Sequence, residues 1–391
     1  GTPEGTVLLK DIKPGVNGSS PDSFSVVNDM LLFVADDGMH GRELWRSDGT
    51  PEGTVLLKDI KPGVNGASPG SFSVVNDMLF FVADDGVHGR ELWRSDGTPE
   101  GTVLVKDIYP GVNSSSPDSF IVVNSMLFFL ANDGTHGREL WRSDGTPEGT
   151  ILLKDITPGV NGSWDCLGSG GYLDPCRSPS FTVMNNTLFF VADDGTHGWE
   201  LWRSDGTTAG TVLLKDIKPG VNSPWICSSS ETCERLSFTV MNNTLFFAAD
   251  DGVHGRELWR SDGTSEGTIL VKDIKPADGS WDCSISYDGS VLLGYQCVHP
   301  SSFTVVNNTL FFIANDGMHG VELWRSDGTP EGTVLVKDIN PLIDDSKPTR
   351  LFSYNNTLFF NAQYGTSTRF WQSNGTAEGT VQVWDSALYR L

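Results

Sequence analysis

Basic residues are scarce in this chain of 391 residues: 27 Lys and Arg stand against 50 Asp and Glu, a formal net charge of −23. That excess repels a phosphate backbone and no basic stripe interrupts it, which excludes nucleic acid as a partner. Long apolar runs are missing as well, and without eighteen consecutive apolar residues no segment spans a bilayer as a helix. No stretch shows a helical period with caps, so the chain reads as all-β. A nucleophile elbow, a phosphate loop and an HExxH zinc motif are all lacking. The Asp-Gly-Thr turns are without the alternating oxygen ligands and terminal Glu of an EF-hand. No cofactor or metal is therefore expected, and no catalytic residue. There is no initiator Met and no signal peptide, and Gly1 falls inside a repeat, so the chain reads as processed or partial.

What fills the chain is one phrase. Glu-Leu-Trp-Arg-Ser-Asp-Gly-Thr occurs six times unchanged, with its tryptophan at Trp45, Trp93, Trp141, Trp202, Trp259 and Trp324, and a degenerate seventh copy surrounds Trp371. Successive tryptophans lie 48, 48, 61, 57, 65 and 47 residues apart, a period belonging to propellers, solenoids or bead-like arrays. One repeat carries four strand-like runs, 23–28, 31–36, 42–48 and 54–60. Asn-Asp, Asp-Asp-Gly and Gly-Thr-Pro-Glu-Gly turn signals separate them. The second run is apolar on both faces, as in a sheet held between two others, which is a propeller blade. The expected fold is a single seven-bladed β-propeller over 1–391, with four-stranded antiparallel blades near 22–60, 70–108, 118–156, 179–217, 236–274, 302–339 and 350–386. The fourth strand type occurs eight times, from Thr6–Ile12 to Thr380–Ser386, leaving a surplus terminal strand at 5–12 and two candidates to close blade seven. The repeated Trp is expected to fill the wedge between neighbouring sheets. Glu43 and Arg46 are expected at blade edges in a solvated salt bridge.

The order of an SFxVVN strand, an LFFVA strand and a Trp-bearing strand is similar to kelch repeats, with Asp-Asp-Gly or Asn-Asp-Gly in place of the Gly-Gly pair. The motif resembles the ELWxxDGT repeat family of secreted and hyalin-like proteins along essentially the whole chain. The resemblance implies a propeller-like extracellular module and brings no catalytic residues with it.

All six cysteines fall in the three longer repeats, two to each: Cys166 and Cys176, Cys227 and Cys233, Cys283 and Cys297. Pairing within each insert, where loop closure is short, is the expected connectivity, and disulfides point to an oxidising extracellular setting. Irregular spacing and the absence of a His cluster argue against zinc. N-glycosylation sequons at Asn17, Asn113, Asn161, Asn185, Asn242, Asn307, Asn355 and Asn374 lie in expected turns and loops and point the same way.

Six His-Gly steps (His40, His88, His136, His197, His254 and His319) follow Asp-rich turns. They are a pH-sensitive pair or weak metal site in one reading. In the other, Asp and His satisfy backbone groups of a hairpin, which suits a feature repeated six times better. Three function classes stay open. A non-enzymatic structural or adhesive extracellular glycoprotein, with a filament subunit as one form, is favoured by near-identical repeats. Its partners would be other copies of itself or extracellular matrix proteins, and it would carry covalent N-glycans. A lectin would use exposed Trp164, Trp225 and Trp281. A glycan-active enzyme would need carboxylates such as Asp165, Asp174 and Asp282.

Overall fold

A computed structural model describes residues 2, 5–164, 180–220, 237–276, 283–287, 292–297, 299–341 and 345–383, with backbone only at 283–287 and 292–297. Among the described residues there is no helix; seven four-stranded antiparallel sheets run 22–58, 70–106, 118–154, 182–215, 239–272, 301–337 and 349–382, the blades of a β-propeller fold. Each sheet is a meander of consecutive strands. In the first blade these are Asp22–Val27, Met30–Asp36, Arg42–Ser47 and Val55–Lys58.

The local chemistry explains the blade. Its first hairpin turns on Asn28 and Asp29 with φ of 48° and 61°, the left-handed pair required by a two-residue type I′ turn, and Asn and Asp tolerate that region better than other residues with a Cβ. Asn76-Asp77, Asn185-Asn186, Asn242-Asn243, Asn307-Asn308 and Asn355-Asn356 repeat it. The third and fourth strands slip register between Leu44↔Lys58 and Trp45↔Leu56. Leu57 is the extra residue, and this bulge turns it into the core at 3% exposure.

By contacts the chain divides into two compact units, one of residues 1–167 and 205–211, the other of 168–204 and 212–391. In the first, Leu44, Leu57 and Ile60 of one blade pack on Leu79, Phe81, Ala83 and Trp93 of the next. Phe80, Leu92 and Ile108 then meet Phe129, Ala131 and Trp141. The second unit repeats the junction between Phe246, Leu258 or Ile274 and Phe312, Ala314 or Trp324, and again from Phe311, Leu323 and Ile339 to Phe360 and Trp371. The repeated Trp therefore fills the wedge between sheets, and burying such a ring on both sides is what makes each blade depend on its neighbour.

Two features were not foreseen. The surplus copy Thr6–Ile12 is not a strand and joins no sheet, so it adds nothing to a described blade. An additional two-stranded sheet, Cys283–Tyr287 with Leu292–Cys297, places Cys283 opposite Cys297 in register. Cys166, Cys176, Cys227 and Cys233, with Trp225, Trp281, Asp165, Asp174 and Asp282, lie outside the described residues.

Candidate functional site

In the first six blades a meander brings two kinds of turn to opposite ends. The end carrying the Asp-Gly-Thr turn displays exposed carboxylates. Asp48 Oδ1 accepts the Thr50 N–H at 2.9 Å and the Thr50 hydroxyl at 2.6 Å, and these bonds hold its carboxyl below the usual range. Gly53 donates to Thr50 Oγ1 at 2.9 Å and has no room for a side chain, since a Cβ there would fall 2.0 Å from Asp48 Oδ1. The turn is thus a rigid mount for an ionised Asp, with Glu52 exposed beside it.

Nearby cations are spent on the backbone. Lys58 Nζ donates to Thr102 O at 2.6 Å and Pro99 O at 3.2 Å in the following blade, and Arg46 Nη1 donates to Gly97 O at 3.0 Å. In the second unit Lys272 reaches Thr333 O at 2.8 Å, and Arg260 reaches Gly328 O at 2.8 Å. Exposed Glu100, Glu148, Glu266, Glu331 and Glu378 repeat the display.

The opposite end carries the His turns. Asp37 Oδ1 accepts the N–H of Met39 and of His40, each at 2.8 Å, while the His40 Nδ1–H donates to Asp37 Oδ2 at 2.7 Å. That bond holds the His40 imidazole above its ordinary value. Burial pushes Asp37 up, but the His40 and backbone donors prevail and hold it low. The same pair recurs at His88, His136, His197, His254 and His319. These residues close a hairpin, and among the described residues no group of three or more His, Cys, Asp or Glu is arranged to hold a metal ion.

The motif Glu departs from expectation. Glu43 is fully buried, and it makes no ion pair with Arg46. Its carboxylate accepts the N–H groups of Ile60 at 3.1 Å, Lys61 at 3.0 Å and Ala67 at 2.8 Å, tying down the segment that leads to the next blade. Burial pushes its pKa up to about 7 against those three donors. Glu91, Glu139, Glu257 and Glu322 are raised to about 7 in the same way, and Glu200 to about 8. A signal was present in the sequence: Glu43 and Trp45 are two residues apart on a strand and share a face, so a buried Trp implied a buried Glu.

Trp164 is likewise not exposed. It is 1% accessible; its backbone N–H donates to Arg138 O at 3.3 Å, and the preceding Ser163 donates its backbone N–H to Glu139 at 2.9 Å. The eight sequon residues Asn17, Asn113, Asn161, Asn185, Asn242, Asn307, Asn355 and Asn374 are all exposed.

A scan of family models finds no match, and neither does a search of curated proteins. Solved structures do match. Oligopeptidase B from Leishmania major is 12% identical at a TM-score of 0.38, covering 94% of this chain and 49% of its own. Puromycin hydrolase is 13% identical at 0.34, covering 97% of this chain and 57% of its own. The β-propeller domain of the Trilobed protease from Pyrococcus furiosus is 10% identical at 0.30, covering 93% and 97%. The chain spans about half the length of the first two. This company overturns the expectation of a non-enzymatic structural or adhesive module with a lectin as alternative. The neighbours are proteases or hydrolases, and because one blade architecture serves many functions, repetition alone never distinguished a structural role from theirs. Neither that reading nor the expected lack of enzymatic activity is retained. Likeness at TM-scores of 0.30 to 0.38 assigns no activity to this chain either.

Proposed function

We propose that the chain is a peptide-recognition module that takes basic peptide segments on the acidic turn end of its blades. One observation carries the reading: each Asp-Gly-Thr turn mounts an ionised Asp, most with an exposed Glu, while the neighbouring Lys and Arg are spent on backbone carbonyls. The turn carboxylates therefore stand out at the tips of the blades while the neighbouring cations, still charged, are held against backbone carbonyls, in a chain whose net charge is −23. Such a surface speeds encounter with a cationic partner and loses its hold as salt screens it. The reading rests on charge placement and takes nothing from the likeness to proteases.

Membership of the ELWxxDGT class and an extracellular, glycosylated, disulfide-bonded state belong to the same proposal, supported by the repeats, the exposed sequons and the paired cysteines. The test is calorimetric titration with an oligo-lysine peptide and an oligo-glutamate peptide at two salt concentrations, followed by mass spectrometry of the recovered peptide. Binding of the basic peptide alone, weakened by salt, supports the reading. Equal affinity for both peptides, or for neither, overturns it. The mass of the recovered peptide reports separately whether it was cut.

A further inference from the structure

In the first and third blades one carboxylate ties the start of the first strand to the start of the third. Arg42 Nη2 donates to Asp22 Oδ2 at 2.5 Å, and its Nη1 donates to Ser20 O at 3.2 Å. The Ser23 hydroxyl donates to Asp22 Oδ1 at 3.0 Å. Arg138 Nη2 likewise donates to both oxygens of Asp118, at 2.5 and 2.6 Å, and the Ser119 hydroxyl donates to Oδ1 at 2.8 Å. Each carboxylate thus accepts from a guanidinium and a hydroxyl together, and the charged bonds are the strong ones.

The second blade keeps both donors and has no acceptor. Gly70 stands where Asp22 and Asp118 stand, and the register is the same: Gly70 faces Val82, as Asp22 faces Val34 and Asp118 faces Leu130. Arg90 Nη1 donates to Ser68 O at 3.2 Å, the bond that Arg42 makes to Ser20 O at the same length, so the guanidinium is anchored in the same way. Ser71 has a φ of 56°, against 54° at Ser23 and 57° at Ser119, and its hydroxyl leaves from the same backbone. Among the described residues no carboxylate pairs with Arg90 and none accepts from the Ser71 hydroxyl. The backbone does not demand glycine at 70, which lies outside the left-handed region, and a Cβ there meets nothing within 4 Å. Blades four and six have no Asp at this place in sequence, and Trp199 and Val321 replace their Arg, so both partners are gone together. In blade five Arg256 meets His299 Nε2 at 3.2 Å.

We infer that Arg90 and Ser71 form a receptor for the carboxylate of a ligand, which takes beside Gly70 the place that the Asp22 and Asp118 side chains take in their own blades. A carboxylate is favoured over a neutral amide because the guanidinium is always charged and its N–H groups match carboxylate oxygens. Two sources share that chemistry, the C-terminal carboxylate of a peptide and an Asp or Glu side chain. The receptor stands at the blade end that carries the His turns, away from the Asp-Gly-Thr turns, and takes a ligand group of opposite charge, so it does not rest on the reading of basic peptides. The net charge of −23 repels such a group at a distance, so the expected hold is local and weak.

The experiment suits a weak ligand: line broadening of peptide proton signals in the presence of the whole chain. The probes are acetyl-trialanine with a free C-terminal carboxylate, the same peptide as its C-terminal amide, and an amidated acetyl-Ala-Glu-Ala. Wild-type chain should broaden at least one carboxylate-bearing peptide and leave the neutral amide sharp, and which of the two responds identifies the source. Gly70→Asp, which supplies an internal carboxylate, and Arg90→Gln should each weaken binding by roughly tenfold or more, while Gly70→Ala keeps both donors and should retain it. An unchanged near-ultraviolet Trp spectrum shows that a variant is folded, and if one of the two disabling variants is not, the other decides. Equal broadening of all three peptides, broadening of none, or binding that survives in folded Gly70→Asp or Arg90→Gln chain overturns the proposal.

Discussion

The buried carboxylate of Glu43 accepts the N–H of Ala67 at 2.8 Å across 24 residues of chain. It thereby fixes where the second blade begins relative to the first. Glu43→Gln keeps the shape but turns an NH2 group toward backbone donors, so it should cost about 1–3 kcal/mol in denaturant unfolding. Glu52→Gln, on the exposed turn, should stay within about 0.5 kcal/mol of wild type.

Stability should peak in mild acid. The Glu43-type groups sit at about 7 in the folded chain against an ordinary 4.5, so their contribution is full below 4.5 and is lost as pH rises through 7. His40 and its counterparts, raised above 6.5 by their Asp partners, act in the same direction. Asp37 and Asp48 are held low, so their contribution exists above 3.8 and is lost as pH falls further. Melting temperature measured against pH should therefore fall from pH 5 to pH 8, and Glu43→Gln combined with Glu91→Gln should flatten that slope. A melting temperature that rises over this range contradicts the assignment.

The two members of the His turn should not be equivalent. Asp37 makes three bonds in closing it, two of them to backbone N–H groups, and Asp37→Ala should cost about 1–2 kcal/mol. His40 contributes one bond from a partly exposed ring, and His40→Ala should cost about 0.5 kcal/mol. Paired urea melts at pH 7 read both.

Trp93 is 6% exposed and packs among residues of two blades. Trp93→Ala should remove about 3–5 kcal/mol, measured by urea unfolding. Because the junction is shared, it should also expose the amide protons of Val55–Lys58 in the preceding blade to hydrogen exchange.

The strands, the hairpin turns and the wedge role of Trp were legible because each is written locally, in alternation, in Asn-Asp pairs and in the period of the motif. Glu43 was misread as an edge residue because its partners, Ile60, Lys61 and Ala67, lie 17, 18 and 24 positions away in a Pro-Gly-rich segment that carries no pattern of its own. Trp164 was read as exposed because it neighbours a cysteine insert. Its burial accompanies the bond of the preceding Ser163 to Glu139, and that clamp is invisible without the fold. The Lys58 tether was missed for the same reason: its acceptors are carbonyls, which every sequence position supplies equally.

Every described blade is a meander of strands adjacent in sequence, and the clamp extends each unit only as far as the start of its successor. Such a unit needs nothing from distant parts of the chain to find its shape, and neighbour-to-neighbour terms suffice. Copying one 48-residue span in frame would carry along its own Glu, its own Trp and the segment the preceding Glu must grip. The arrangement is therefore a template for growth by gene duplication: a new blade arrives already compatible with the one before it and the one after.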